Sequence, residues 1–174
     1  MIARVITTVV IAATTIAITR AQDVALEYRV KAAYLYNFVK YVEWPGKARS
    51  SILICIAGQN PFGDELTLLI RNERVHGLPL AAEVILEPRA DCDVLFTPKT
   101  SNVPAYLRTA VGMPTLTVGE TDRFLEQGGI VRFVAAGRNV RFEINPVAAD
   151  RAKLRISSRL LQLARIVEPE SDER

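Results

Sequence analysis

The chain has few of the residues from which metal sites and catalytic sites are built. Its 174 residues include two cysteines, one histidine and one tryptophan. A structural zinc site needs more cysteine and histidine ligands than His76 and the two cysteines supply. The sequence also lacks the Gly-x-Ser-x-Gly motif that carries the nucleophile of an α/β-hydrolase. The composition therefore predicts no catalytic residues, no metal site and no cofactor.

A phosphate-binding loop is missing as well. The apolar stretch 51–57 reads as a strand covered on both faces, and it is followed by a turn with glycines at 58 and 63 and by a helix over 64–70. A P-loop requires lysine and serine or threonine after the second glycine, whereas this chain has Asp64 and Glu65. Two carboxylates at a helix start repel phosphate, so the glycines are interpreted as turn residues.

Long apolar runs are scarce, and the one present lies near the N-terminus. The run Val5–Ile18 follows Arg4 and precedes Thr19-Arg20-Ala21. This pattern predicts a secretory signal peptide over residues 1–21, cleaved after Ala21. The alternative is a membrane anchor, but the run has 14 residues, four of them threonine, and a spanning helix needs about 20 apolar residues.

Net charge is small once the predicted signal peptide is removed. Residues 1–21 hold two arginines and no acidic residue, so that 22 lysines and arginines fall to 20 against 19 aspartates and glutamates. The basic residues are interspersed with acidic ones, whereas nucleic-acid binding needs them clustered. The composition therefore predicts no nucleic-acid partner.

Alternating strands and helices predict a single α/β domain over residues 22–167, with a mostly parallel central sheet flanked by helices. Residues 168–174 are interpreted as a charged, flexible tail. The predicted helices cover 24–42, 64–70, 103–111 and, briefly, 121–127, and the predicted strands cover 51–57, 80–86, 93–96 and 114–118.

The last part of the domain is predicted to be a β-hairpin with a closing helix. Residues 130–134 and 140–144 show strand patterns, and residues 135–139 can form the turn. Asn145 followed by Pro146 favours a helix start, because asparagine caps free backbone N–H groups and proline suits the first helical position. Apolar residues from Leu154 to Ala164 are expected to pack this helix on the sheet.

Aromatic residues are concentrated in the first predicted helix and immediately after it. Five of the chain's twelve lie within eleven positions: Tyr34, Tyr36, Phe38, Tyr41 and Trp44. Two interpretations stay open, one as core packing and one as a dimer or partner-binding surface, since aromatic residues are enriched at interface cores.

A basic cluster lies near the predicted closing helix. Lys153, Arg155 and Arg159 surround Ser157 and Ser158. The cluster predicts either an anion-binding site for a small ligand or a solvated face.

Four blocks of the chain together resemble the YfiR family of periplasmic proteins, from about Glu27 to Val167. The blocks, in order, are AAYLYNFVKYVEWP, ILICIAGQNPFG, LTVGETDRFLEQGGIVRF and VRFEINPVAADRAKLRISSRLLQLARIV. The resemblance implies a periplasmic protein that binds the periplasmic part of an inner-membrane diguanylate cyclase. It implies inhibition of that cyclase, and hence less cyclic di-GMP and less biofilm. Relatives are dimeric, and the cyclase would be released by a third protein, by a small molecule or by a redox change.

The alternative function is a periplasmic small-molecule sensor, with the glycine turn after the first strand and the Arg155 region lining a cleft.

The two cysteines, Cys55 and Cys92, are expected to form a disulfide. An even cysteine count in an exported protein favours one, and adjacent strands can bring the two residues within bonding range. The YfiR resemblance implies a disulfide as well. Some relatives carry a second cysteine pair near the double glycine, where this chain has residues such as Phe124 and Ile130, so redox behaviour tied to that pair is not expected.

Overall fold

The computed structural model describes residues 2–46, 49–137 and 139–168, with side chains described from Gln22 onward. The side chains of the predicted signal peptide, and residues 169–174 of the predicted tail, lie outside the described part. Within that part, no helix is both long enough and apolar enough to cross a membrane.

The strands, in chain order, are β1 Val42–Glu43, β2 Ile52–Ala57, β3 Arg74–Val75, β4 Leu78–Ile85, β5 Val94–Thr97, β6 Leu116–Gly119, β7 Val131–Ala136, β8 Asn139–Ile144, β9 Arg155–Ile156 and β10 Arg165–Ile166. The helices are α1 Ile2–Tyr41, α2 Glu65–Ile70, α3 Val103–Ala110, α4 Pro146–Arg151 and α5 Ser158–Leu163.

Eight strands form one sheet in the order β10-β8-β7-β6-β5-β2-β4-β3. The pairs formed by β2, β5 and β6 with their neighbours are all parallel, and β10 lies parallel to β8. The hairpins β7–β8 and β3–β4 are antiparallel. The predicted α/β class, with a mostly parallel sheet and a C-terminal hairpin, is confirmed.

One face of the sheet is covered by α1, with α2 and α5 beside it. Phe38 on α1 has no exposed surface, and its ring centroid lies 5.7 Å from that of Phe133 on β7 and 5.0 Å from that of Phe142 on β8. Phe133 and Phe142 are directly opposite each other in the hairpin register, so both rings project onto the same face. An aromatic cluster thus joins α1 to the hairpin.

The other face carries α3. Tyr106 of α3 packs with Cys55, Cys92 and Leu95, and its hydroxyl donates a hydrogen bond of 3.1 Å to the Ile85 carbonyl oxygen. The helix begins as the sequence pattern favours, with Asn102 accepting from the Ala105 N–H and a proline in the first turn.

The predicted closing helix is instead two short helices with a strand between them. α4 starts at Pro146 as predicted, with Asn145 accepting from the Ala148 N–H. The chain then leaves the helix at Lys153, which adopts a left-handed φ of 57°, and forms β9 before α5. β9 pairs antiparallel with β1, so this interruption comes from a long-range contact that helical periodicity does not show.

Two other local predictions also need correction. Residues 121–128 form a bend and successive turns rather than the predicted helix over 121–127. The hairpin loop is shorter than predicted, because β7 and β8 continue to the pair Ala136↔Asn139, with Gly137 at a φ of +63°. Glycine adopts this left-handed conformation without strain.

Candidate functional site

The predicted disulfide is present. Cys55 lies in β2 and Cys92 precedes the neighbouring strand β5, with a Cα–Cα distance of 5.8 Å. Both residues are buried, at 0% and 1% exposure, on the α3 face of the sheet. The bond therefore cross-links two adjacent central strands from inside the core.

An aromatic ring occupies the region around the double glycine at 128–129. Phe124 is fully buried, and its ring lies between the backbones of Gly119 and Gly129. A Cβ atom added at either glycine would lie only 2.3 Å or 2.2 Å from the nearest ring carbon. Ile130, which follows Gly129 in the chain, is also buried. The turn after β6 is therefore held by packing.

Among the five aromatic residues predicted as core or partner surface, Phe38 belongs to the core. Its side chain has 0% exposure and is enclosed by other rings. Its place in the partner-binding set is therefore corrected, because a side chain with no exposed atoms offers nothing to a second protein.

The other four aromatic residues are half-buried. The Tyr34 hydroxyl donates to the Val140 carbonyl oxygen at 3.4 Å. The Tyr36 hydroxyl donates to Glu73, and this hydrogen bond raises the pKa of Tyr36. Tyr34, Tyr36, Tyr41 and Trp44 thus combine packed and exposed parts, and their role in partner binding stays a prediction.

The pairing of β1 with β9 brings together two sets of residues that were predicted separately. Glu43 lies opposite Arg155, and the Ser157 N–H donates to the Tyr41 carbonyl oxygen at 2.9 Å. A pocket of about 230 Å³ opens here, called the α1-end pocket, lined by Lys40, Tyr41, Glu43, His76, Arg155, Ile156 and Ser157. One aromatic residue of the first set and one arginine of the basic cluster therefore share a single site.

Sequence patterns did not indicate Lys40 and His76 as members of this pocket. His76 lies in the β3–β4 turn with a positive φ of 52°, and β3 is too short to be read from periodicity. The available signal was the His76-Gly77 pair, which favours a tight turn, but nothing local shows what that turn faces.

The basic cluster does not converge on one ligand. Lys153, Arg155 and Arg159 are all exposed, and none of them forms an ion pair with another residue in the described part of the chain. Only Arg155 lines the α1-end pocket. The three residues as a group fit the solvated-face interpretation better than a shared anion site.

The cleft predicted between the glycine turn and Arg155 does not form. Gly58 follows the carboxyl end of β2. At the other edge of the sheet, Trp44 follows β1 and its ring centroid lies 5.1 Å from the Arg49 guanidinium. Arg49 pairs at 3.0 Å with Asp93, at the amino end of β5. Arg155, which pairs with β1, therefore lies at the edge opposite the glycine turn.

The carboxyl edge of the sheet, where open α/β sheets commonly bind ligands, carries a buried ion pair after β6. Glu120 directly follows β6, and its carboxylate accepts from Lys31 Nζ at 2.5 Å and from the Tyr28 hydroxyl at 3.2 Å. The Lys31 and Glu120 side chains are 4% and 1% exposed. Burial, and then the Glu120 charge, raise the pKa of Tyr28. This cluster fastens α1 to the carboxyl end of β6.

The described residues include no group of three or more histidine, cysteine, aspartate or glutamate side chains that could hold a metal ion.

Comparison with known proteins gives one family. The family model described as YfiR/HmsC-like matches residues 28–165, a span that begins in α1 and reaches β10. The matched span therefore includes every residue of the α1-end pocket. It also includes the whole eight-stranded sheet except the last residue of β10. No curated protein matches the chain.

Proposed function

The chain belongs to the YfiR/HmsC-like family, and from that premise we propose that it is a periplasmic regulatory protein. In this proposal it binds and inhibits an inner-membrane diguanylate cyclase, which lowers cyclic di-GMP and biofilm formation. The observation that carries the proposal is the match of one family model to nearly the whole domain. The resemblance to YfiR supplies the class of partner.

Export is part of the proposal. Residues 1–21 act as a signal peptide that is removed after Ala21, which leaves an α/β domain over residues 22–167 in the periplasm. The disulfide between Cys55 and Cys92 supports this location, since disulfides persist in oxidising compartments and are rare in the cytosol.

Inhibition would work through differential affinity. The protein binds the periplasmic part of the cyclase more tightly in its inactive conformation, and it can shift that equilibrium by no more than the difference in affinity. The exposed parts of Tyr34, Tyr36, Tyr41 and Trp44 form the proposed contact surface. A two-fold homodimer would match a two-fold cyclase, and a third protein or a small molecule would release the complex.

The first experiment measures cyclic di-GMP in cells. A strain lacking this gene should contain more cyclic di-GMP than its parent. Complementation with the full chain should restore the lower level, whereas a version without residues 1–21 should not. An unchanged level after deletion would contradict the proposal, and restoration by the version without residues 1–21 would contradict the periplasmic location.

The contact surface is tested separately. Tyr36→Arg should raise cyclic di-GMP in the complemented strain, because the charge and bulk of arginine disturb an aromatic contact surface. Leu86→Arg is the matched control, since Leu86 is 78% exposed and follows the carboxyl end of β4, away from the α1-end pocket. Equal effects of the two substitutions would count against the aromatic surface.

A second function, the binding of a small molecule, is favoured by the α1-end pocket. At about 230 Å³ the pocket is smaller than the roughly 300 to 1000 Å³ of drug-sized ligand sites, so it suits only a ligand of few atoms. Lys40 and Arg155 supply two cationic side chains there, Glu43 an acidic one and Tyr41 an aromatic one, a combination that suits a small aromatic acid. A ligand that raises the melting temperature of the wild type should not raise that of Arg155→Ala. Arg159→Ala, outside the pocket, should respond as the wild type does. A ligand response retained by Arg155→Ala would exclude this pocket.

A further inference from the structure

A large groove lies on the α3 face of the sheet, and the function proposed above does not use it. Its floor includes Thr117 of β6, Arg132 of β7 and Glu143 of β8. One wall is α3, and the other walls are the turns over 122–128 and helix α4. The volume is about 1180 Å³. This sheet-face groove is far larger than the α1-end pocket.

The floor contains a buried carboxylate with two cationic partners. Glu143 lies opposite Arg132 in the hairpin and opposite Arg165 in β10, and its side chain is 3% exposed. Arg132 Nε donates to it at 2.8 Å, and Arg165 also pairs with it. Because one carboxylate neutralises only one of the two guanidinium groups, the floor keeps an excess positive charge. The Arg165 side chain is 70% exposed, so this charge is accessible.

The walls add further positive charge. Arg108 on α3 and Arg151 on α4 are both exposed, and neither forms an ion pair with another described residue. In total, the groove is lined by five arginines against three acidic residues, with no lysine. The residues that line the groove thus have a net charge of +2, whereas the whole chain from Gln22 onward has a net charge of only +1. Positive charge is thus concentrated here.

Apolar side chains lie beside these arginines. Val111 at the end of α3 is 78% exposed, and Val147 in α4 is 41% exposed, and both line the groove. These two side chains place apolar surface beside arginines that form no ion pair with another described residue. Arginine suits carboxylates in particular, since its planar guanidinium can bind both oxygens.

The dimensions of the groove favour a polypeptide over a small ligand. Pockets for small molecules have volumes of roughly 300 to 1000 Å³ and enclose most of the ligand. The sheet-face groove, at about 1180 Å³, exceeds that range, and its lining extends from the end of α3 to α4 and Arg165.

We propose that the sheet-face groove binds an acidic segment of a partner protein, with carboxylates facing Arg108, Arg151 and Arg165 and an apolar residue between Val111 and Val147. Identifying that partner as the cyclase rests on the proposed function. The proposal that the groove binds an acidic segment does not rest on that function, because the charge and shape of the groove are properties of this chain.

The first test uses a defined peptide and the protein purified from the periplasm. A fluorescein-labelled peptide, Glu-Glu-Leu-Glu-Glu, should bind the wild type in an anisotropy titration at 0.1 M salt, and the corresponding lysine peptide should not. The double variant Arg108→Glu/Arg151→Glu should weaken binding by about tenfold or more, because each change replaces an attraction by a repulsion. Both side chains are exposed, so the melting temperature should change little.

The matched control is Arg71→Glu/Arg159→Glu, which alters the net charge equally at exposed positions outside both the groove and the α1-end pocket. It should keep the wild-type affinity within about twofold, since exposed charges beyond a Debye length of about 10 Å are screened at 0.1 M salt. Equal weakening by both double variants would show diffuse attraction and overturn the proposal. Absence of binding by the wild type would overturn it too.

Cells separate this proposal from the proposed function. If the wild type lowers cyclic di-GMP and Arg108→Glu/Arg151→Glu lowers it equally, the regulatory function stands and the groove is not the cyclase site. If the wild type has no effect but the peptide binds selectively, the regulatory function fails and the groove has another partner. A dimer that dissociates only in the groove variant, measured by light scattering, would place a second copy of the chain in the groove and overturn the proposal.

Discussion

The two faces of the sheet are covered to different extents and by different contacts. On the α1 face, the helix covers the strands with an aromatic and aliphatic cluster around Phe38. On the α3 face, the central strands are covered by α3 and joined by a disulfide, whereas β6, β7 and β8 leave a polar groove. The α1 face is therefore the main source of stability, and the α3 face is the one with room for a partner.

Two buried carboxylates show the same contrast. Glu120 pairs with Lys31, whose side chain is only 4% exposed and which also pairs with Glu27. Glu143 pairs with Arg132 and with Arg165, whose side chain is 70% exposed. An ion pair in which both members are buried cannot exchange partners without a large desolvation cost. An exposed arginine can, so the Glu143 cluster is the one suited to respond to a ligand.

The largest expected effect is the loss of core packing on the α1 face. Phe38→Ala should lower the free energy of unfolding by about 3 to 5 kcal/mol, because a large side chain with no exposure is removed and a cavity remains. Urea denaturation followed by circular dichroism measures the change. Tyr36→Ala, on the half-buried side of the same helix, should cost about 1 kcal/mol. Similar losses for the two would remove the distinction between the sides of α1.

On the α3 face, the disulfide should be the largest single contribution to stability. The Cys55→Ala/Cys92→Ala double variant should lose about 2 to 4 kcal/mol, since the bond spans a sequence separation of 37 residues and restricts the unfolded chain. Urea denaturation of the wild type in excess dithiothreitol should give a midpoint close to that of the variant. A variant with the wild-type midpoint in oxidising buffer would show that α3 packing alone holds this face.

A smaller effect is expected where the Phe124 ring contacts glycine backbone. Gly129→Ala should cost about 1 to 3 kcal/mol, because the new Cβ would overlap the ring and force it to move. In a Phe124→Ala background the same substitution should add almost no further cost, which a double-mutant cycle measures. Additive losses in that cycle would mean that the ring is not what excludes a side chain at residue 129.

The smallest effect concerns the contacts that fasten α1 to the carboxyl edge of the sheet. Tyr28→Phe should cost about 1 kcal/mol near neutral pH, since it removes one hydrogen bond to Glu120. Burial and Glu120 raise the pKa of Tyr28 above its usual 10.0, so folding favours the neutral hydroxyl. The stability difference should be constant below pH 10 and shrink as the pH rises above 10, because the unfolded tyrosine then ionises first. A difference that grows above pH 10 would contradict this assignment, and paired urea titrations at several pH values measure it.

Much of the architecture could be predicted from local patterns. The hairpin strands alternate apolar and charged residues, the first strand is continuously apolar, and Asn145-Pro146 starts a helix where expected. The disulfide was also within reach, because the two cysteines belong to segments that read as strands. The candidate site was predictable only in pieces: Tyr41 and Arg155 were both named, but nothing local indicated that β1 and β9 would pair.

Periodicity in the sequence determined which residues share a face of a strand or helix, and glycine, proline and asparagine determined where many elements begin and end. Tertiary structure alone decided which faces meet. It buried Phe38 beneath the hairpin, divided the closing helix into two, and set Arg132 and Arg165 on either side of Glu143. The physical reason is that these contacts join residues far apart in the chain. A strand of two residues such as β9 or β10 has too few positions to show a period, and distant strands stabilise it. The α1-end pocket and the sheet-face groove both depend on such strands.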